Sequence, residues 1–225
     1  AIRRTVCFSE AIYSGQTRVE EITAQRLDTP AEIPSAWANN ILPVLIDENA
    51  TSIAHQSPTI LLDGRMIKRN LGIRRGLAPL VLALGPGFCA GQDVDAVIET
   101  NRGHHLGRVL WQGTAEADTG TPGEMRGVRS DRVLYSPCAG VLTSSLEIGA
   151  SIRTGQTIAW VNETPVISRI DGVLRGLIHP GLHLPAHIKI ADVDPRADPS
   201  YCHTVSDKAL AIGGGVLEAI LQSLH

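Results

Sequence analysis

The sequence predicts an α/β protein in which a mostly parallel sheet layer is followed by a pseudo-two-fold β module and a C-terminal helix. Three observations predict it. Short β-branched and leucine-rich runs that end at Asp, Glu or Gly recur through the first 128 residues. Residues 139–193 contain an ungapped internal repeat, and the last twenty residues carry an apolar stripe at helical spacing. The expected boundaries are therefore 1–128, 129–197 and 198–225.

In the first part, Ile41–Ile46 ends at Asp47, Thr59–Leu62 at Asp63-Gly64, Pro79–Leu84 at Gly85-Pro86-Gly87 and Val94–Ile98 at Glu99, with Arg108–Trp111 close behind. Apolar runs of this length read as buried strands of a Rossmann-like, largely parallel sheet. The segments between them are short, so some crossovers are expected to be loops or single helical turns. In the second part, Ala139–Val161 aligns with Asp171–Val193 at an offset of 32, with seven identities in 23 positions, including Gly140-Val141-Leu142 over Gly172-Val173-Leu174. Glycines and core aliphatics recurring in register predict two copies of one β unit, each burying the other's apolar face.

At the C-terminus, Ser206-Asp207 supplies a helix cap ahead of Ala209, Ile212, Val216, Leu217, Ile220, Leu221 and Leu224. Gly213-Gly214-Gly215 interrupts this stripe, and each interior glycine costs roughly 0.5–1 kcal/mol relative to alanine. Close approach to the sheet or a break between two helices is the expected reason. The alternative is a backbone left bare for a ligand.

Composition excludes several function classes. Twenty basic against 23 acidic residues give a net charge of −3, too little positive charge for a sequence-nonspecific nucleic-acid binder or an anionic-membrane binder. The most apolar stretch, Leu77–Phe88, is short and broken by Pro79, Gly85, Pro86 and Gly87, so no membrane helix is expected. Cys7, Cys89, Cys138 and Cys202 are scattered without a Cys-x-x-Cys pair, which predicts reduced thiols in a cytoplasmic protein rather than staples or a zinc framework. The N-terminus shows no secretory leader and no initiator methionine, so the sequence is expected to start inside a longer chain.

Two stretches carry candidate chemistry. In Leu82 to Asp93, a strand runs into a loop holding Gly85, Gly87 and Gly91, a pattern that lets backbone amides approach a phosphate. It is neither a Walker A motif nor Gly-x-Gly-x-x-Gly. Cys89 inside it is a candidate nucleophile. Glu99-Thr100-Asn101-Arg102-Gly103-His104-His105 then gathers an acid, an amide, a guanidinium and an imidazole at a strand end, where open α/β sheets bind ligands. Glu99 and His104 are candidates for acid–base work, and Asn101 and Arg102 for cofactor binding. Polar stretches at Asp63–Asn70 and Asp118–Gly123 read as a strand-end basic face and a loop. His179, His183 and His187 are spaced by four, but Pro180, Gly181 and Pro185 forbid the helix that would stack them, so no metal site is expected.

The Gly-Val-Leu, Ile-Gly and Gly-Gln-x-Ile-Ala-x-Val pattern of residues 140–161 resembles the biotinyl/lipoyl carrier fold, a barrel-sandwich hybrid of two symmetric halves. In such carriers a lysine on the hairpin between halves is acylated. Here the turn reads Asn162-Glu163-Thr164-Pro165, and Val161–Gly172 contains no lysine, with Arg169 as its one cation. A guanidinium does not accept an acyl group, so no covalent biotin or lipoate is expected and the module should dock or brace.

Taken together, Ala1–Val6 with Phe8–Ala11, Lys68–Gly72, Leu84–Phe88, Glu99–His104 with Leu106–Arg108, Asp171–Leu177, and Ser206–Ala209 through Gly213–Ala219 resemble the YqeB-type selenium-dependent molybdenum hydroxylase system proteins along essentially the whole chain. The resemblance implies a cytoplasmic accessory protein in the maturation of such hydroxylases. Its partners would be the hydroxylase or other maturation proteins, and its ligand a nucleotide- or molybdopterin-type group. Members open with a strand and a Gly-Gly-Gly-Asp-Leu-Ala-Thr-Gly loop that this sequence lacks, and tend to carry Thr and Lys at the positions of Cys89 and Gln92. Two other readings stand beside this one: a redox or sulfur/selenium-transfer enzyme using Cys89 with His104 as base, and a non-catalytic interaction module. A homo-oligomer is left open.

Overall fold

The computed structural model describes residues 1–118, 120, 124–128 and 130–224. The chain divides into two compact units, Ala1–Ile46 with Thr121–Val205, and Asp47–Gly120 with Ser206–His225. The division differs from the boundaries expected from sequence. Residues 1–46 belong with the β module rather than with the parallel sheet, and the C-terminal helix belongs with the parallel sheet rather than standing alone. Local patterns on either side of residue 128 cannot reveal pairings between segments more than a hundred residues apart.

The chain begins in the first unit with short helical turns and α1 (Ala11–Ser14), then β1 (Gln16–Val19) and β2 (Ile22–Arg26), an antiparallel hairpin whose Glu20 takes the positive φ of a tight turn. A capping box between Thr29 and Glu32 starts the turn that leads into α2 (Ile33–Ala38). β3 (Leu42–Val44) then pairs parallel to β2. The run Ile41–Ile46 thus forms its strand in a separate three-stranded sheet, with Leu27, Ile33 and Ala36 as a small core.

The second unit holds α3 (Ser52–Gln56), β4 (Ile60–Asp63), β5 (Leu80–Leu84), β6 (Cys89–Ala90), β7 (Ala96–Ile98), β8 (Val109–Leu110) and β9 (Gly113–Thr114). β4, β5 and β7 are parallel, and antiparallel β8 closes a sheet of order β4-β5-β7-β8. β6 and β9 form a separate antiparallel pair. The parallel core is what buried runs such as Leu80–Leu84 encode. The segments joining β4, β5 and β7 hold no helix, unlike the helical crossovers of a Rossmann layout. Residues 64–79, with Gly64, Gly72, Gly76 and Pro79, offer no apolar helical period.

The chain returns to the first unit as β10 (Val133–Tyr135), β11 (Gly140–Thr143), β12 (Ser151–Ile152), β13 (Thr157–Val161), β14 (Thr164–Ile167), β15 (Gly172–Leu177), β16 (His183–Leu184) and β17 (Lys189–Asp194). Two four-stranded sheets result, of order β10-β17-β15-β12 and β14-β13-β11-β16. Adding the repeat offset to β11, β12 and β13 lands on β15, β16 and β17, so each sheet maps onto the other with its order preserved. Between them lies one core of Leu142, Ile152, Ile158, Val161, Leu174, Leu177, Leu184, Ile190 and Val193. The outer face of the first sheet is covered by the chain's own ends. Leu177 N–H donates to Ile2 O (2.8 Å), Thr5 Oγ1 to Cys202 O (2.5 Å) and Arg3 Nη2 to Tyr201 O (2.8 Å). Beneath them Arg132 pairs with Asp192 (2.5 Å) and Arg196 with Asp194 (2.6 Å). On the second sheet Thr143 and Trp160, which the repeat sets at the places of Arg175 and Asp192, are exposed.

α4 (Asp207–Ser223) completes the second unit, capped by Ser206, whose Oγ accepts from Ala209 N–H. The predicted stripe splits in two. Ile212, Val216 and Ile220, with Gly215 and Ala219 beside them, pack against Leu80, Leu82, Ala96 and Ile98, whereas Leu217, Leu221 and Leu224, and Leu210 outside the stripe, are exposed. The helix runs unbroken through the glycines. A Cβ on Gly215 would collide with Gly107 O and meet Ile98 Cγ2 at 3.1 Å, while one on Gly213 or Gly214 would meet nothing within 4 Å. Close approach to the sheet therefore explains Gly215 alone.

Gly213→Ala should raise stability by roughly 0.5–1 kcal/mol, whereas Gly215→Ala should lower it by about 1–3 kcal/mol through overpacking; urea unfolding of both variants checks the opposite signs. Acid should destabilise the first unit. Burial pushes the Asp194 carboxyl up, but the Arg196 fork and nearby Arg175 hold it below its ordinary value. A depressed carboxylate contributes stability above about pH 4 that is lost as pH falls below it. Asp194→Asn should flatten that acid limb in a pH series of thermal melts.

Candidate functional site

Register places the site within the second unit. Asp63 pairs with Ala83, and Leu84 with Ile98, so the carboxyl ends of β4, β5 and β7 lie side by side. Gly64-Arg65, Gly85–Gly87 and Glu99–Arg102 consequently emerge at one edge, where parallel sheets present ligand-binding loops. α4 brings Asp207 and Lys208 to the same edge, because Gly107 and Gly215 let helix and loop backbones touch.

Glu99 organises this edge. Its side chain is buried, with Oε1 accepting from the amides of Thr100 and Asn101 (2.7 Å each) and Oε2 from the amide of Glu116 (2.7 Å). Three amides on one carboxylate give it a positioning role rather than the acid–base role considered from sequence. The neighbouring Thr100 side chain fills the space beside Gly85, where a Cβ would lie 2.5 Å from Thr100 Oγ1. Gly87, at φ +105°, faces the Lys68–Arg69 backbone, 2.5 Å from where its Cβ would be. Gly91 closes a turn, donating from its N–H to Val94 O (2.8 Å). The chain's own packing therefore accounts for Gly85 and Gly87, and the positive φ of its turn (+83°) for Gly91, while Gly85 N–H is already bonded to Ile98 O (2.9 Å).

Charged side chains surround the loop. Arg102 forks onto Asp207 (2.8 and 3.0 Å), Asn101 donates to Glu116 Oε2 (2.5 Å), Lys68 bonds Asp118, and Arg65 forks onto buried Asp63. The hydrogen bond from Lys68 holds the Asp118 carboxyl below its ordinary range. Burial, reinforced by the Arg102 charge, pushes the Lys208 ammonium down despite Glu99, Asp118 and Asp207 nearby. Of the polar stretch 118–123, Asp118 is described, and Thr119 and Thr121–Gly123 lie outside the described residues.

The structure does not bring Cys89 and His104 together. The Cys89 thiol points to Ala90 O (3.8 Å), and Asp93 Oδ2 accepts from the Cys89 amide (2.8 Å), which fixes the turn. His104 is exposed and meets His105 edge to face. The thiol–imidazole contact that nucleophilic catalysis needs is absent among the described residues. In the first unit, His179 stacks on Tyr13 while His183 lies on β16, and the described residues include no group of three or more His, Cys, Asp or Glu placed to hold a metal ion. Sequence reasoning passed over Lys208 and Glu116 and read Asp118 only as part of a loop. The Ser206-Asp207-Lys208 cap pointed to the first, but nothing local ties any of them to Arg102 or Glu99. No helix among the described residues is long and apolar enough to cross a membrane.

No family model matches the sequence. The chain is 41% identical over 224 residues to "Uncharacterized protein YqeB" of Escherichia coli (strain K12), covering 100% of this chain and 41% of that protein. The chain spans about two fifths of that relative's length. Among solved structures, it is similar to a succinylglutamatedesuccinylase/aspartoacylase from Rhodobacter sphaeroides at TM-score 0.27 and 25% identity, over 38% of this chain and 29% of that one. It is also similar to the ectoine utilization protein EutE (DoeB) from Ruegeria pomeroyi, at TM-score 0.26 and 20% identity over 38% and 27%. Overlaps this partial carry no argument about fold or activity.

Glu99→Gln puts an amide donor against backbone donors in a buried site, so it should cost about 1–3 kcal/mol. Urea unfolding measures this loss, and unchanged stability would remove the positioning role.

Proposed function

We propose that this chain is part of a cytoplasmic accessory protein for the maturation of selenium-dependent molybdenum hydroxylases, and that the edge around Arg102 binds the phosphate of a nucleotide- or molybdopterin-type ligand. The observation that supports it is the convergence of Lys68, Arg102 and Lys208 at the carboxyl end of the parallel strands. A phosphate fits this side-chain set. Arg102 offers a planar fork and the lysines offer mobile point charges. The Arg102–Asp207 and Lys68–Asp118 pairs lie at the surface, where such pairs contribute about 0–1 kcal/mol, so an incoming dianion can displace the carboxylates. The glycine loop takes a different part from the one expected. Gly85 and Gly87 are filled by Thr100 and the Lys68–Arg69 backbone, and serve to bring Thr100, Asn101 and Arg102 beside Lys68.

The β module supports the docking half of this reading. Its two-sheet arrangement is compatible with the barrel-sandwich hybrid that the repeat resembles. The β13–β14 hairpin turns at Asn162-Glu163 and has no lysine to acylate. The open outer face, with Val141, Trp160 and Ile167 exposed, suits contact with the hydroxylase or another maturation protein.

Arg102→Ala tests the ligand reading. By calorimetry with a nucleoside diphosphate as probe, and by native mass spectrometry for a copurified nucleotide or molybdopterin, binding should weaken about tenfold, or 1.4 kcal/mol. Because the Arg102–Asp207 pair is exposed, the melting temperature should barely move. Unchanged binding removes the site.

A further inference from the structure

The roofed face of the first unit gathers more positive charge than its acids match. Arg132 leads into β10, Arg175 lies on β15, Lys189 on β17 and Arg196 just past it. Arg3 comes to the same face from the N-terminal segment, near enough for its charge to act on Lys189. The acids of the group are Asp192 and Asp194, and both are engaged. Arg132 holds the first (2.5 Å), while Arg196 (2.6 Å) and Arg175 (3.6 Å) share the second. The half-buried Lys189 ammonium makes no hydrogen bond or ion pair among the described residues. Arg3 donates from Nη2 to Tyr201 O (2.8 Å) and Thr204 O (3.1 Å), but its Nε is buried with no partner. Among the described residues it is the one buried side-chain donor in that position.

The β fold does not require these charges. The sister sheet closes on the same core with Thr143, Thr157, Trp160 and Asn162 where the repeat sets Arg175, Lys189, Asp192 and Asp194. Neutral residues therefore satisfy strand pairing and core packing at the same places. Holding the cations together is costly. Burial pushes the Lys189 ammonium below its ordinary value, and Arg132, Arg175 and Arg3 push it further against the pull of Asp192. Burial and Arg175 act in the same direction on Arg3. Like charges drawn out of water raise the free energy of the folded chain until a counter-charge joins them. A buried donor without a partner calls for the same remedy, an ion or water that accepts from it. An oxyanion meets both needs, because its several lone pairs accept from an ammonium and a guanidinium at once.

We propose that this cluster is a binding site for a small, doubly charged oxyanion of the phosphate or sulfate class, with the Lys189 ammonium and Arg3 Nε as its principal donors. Two negative charges match the two cations that the carboxylates leave over. Ile2 and Thr5 are hydrogen-bonded across the face to Leu177 and Cys202, a roof that favours a small ion over a nucleotide. The site belongs to the first unit and does not depend on the edge around Arg102 in the second.

The test uses the 225-residue chain carrying Arg102→Ala, so that the edge of the second unit does not contribute. Calorimetry with inorganic phosphate, at constant ionic strength in chloride, should show one site with Kd on the order of 0.1–1 mM. Lys189→Met should raise that Kd about tenfold or more, whereas Lys189→Arg, which keeps the charge, should hold it within about threefold. Melting temperatures separate binding from bracing. In chloride, Lys189→Met should melt no lower than its parent, because a like charge has gone; in about 20 mM phosphate the parent should melt higher. Without any substitution at Lys189, phosphate should slow its labelling by acetic anhydride, read by peptide mass mapping. A parent that binds no phosphate at about 10 mM overturns the proposal. So does binding or labelling that ignores Lys189, which would place the anion elsewhere. A Lys189→Met chain that melts lower by the same margin with and without phosphate overturns it too, and makes the lysine a brace.

Discussion

The Glu99 carboxylate holds the second unit's working edge in one arrangement. Three backbone amides from two separated stretches converge on its two oxygens, and each such charge-assisted bond contributes more than a neutral one. Glu99 itself is buried and has no water to fall back on, so the acid at the end of β7 holds the backbone at residues 100, 101 and 116. Arg102 leaves that platform toward the N-terminus of α4, and Asn101 toward Glu116. The charged rim is a consequence of one buried group that itself stays out of reach of a ligand.

The first unit rests on a different constraint, the repetition of one strand pattern. Two copies with the same alternation of buried and exposed positions can close a single core without edges left open at its centre. The symmetry ends at the outer faces. Asp192 on one sheet and Trp160 on the other occupy the same place in the repeat. The acid is paired with Arg132 and roofed by the N-terminal residues and the segment around Tyr201, and the indole stands exposed. One fold thus supplies two chemically different faces, one closed by the chain itself and one exposed.

Glycine illustrates how differently identical residues are used. Gly85, Gly87 and Gly215 exist because neighbouring atoms occupy the space of a Cβ. Gly213 and Gly214 adjoin open solvent, and their reason has to be sought outside the chain or not at all. A triplet read as one feature divides into residues with opposite effects on stability.

The sequence by itself determined the strands of the parallel core, the two-fold repeat with its lysine-free turn, and the Ser206 cap. Each is written in local patterns a few residues to a few tens of residues long, where period and turn chemistry suffice. It also picked out Glu99–Arg102 as a dense polar cluster. Only the tertiary structure decided that Glu99 is a buried brace, that Cys89 and His104 stay apart, that residues 1–46 join the β module, and that half of the α4 stripe faces outward. Those outcomes depend on which distant atoms come to share a given volume. Thr100 beside Gly85 and Gly107 beside Gly215 are such meetings, and neither residue of either pair carries a local sign of the other.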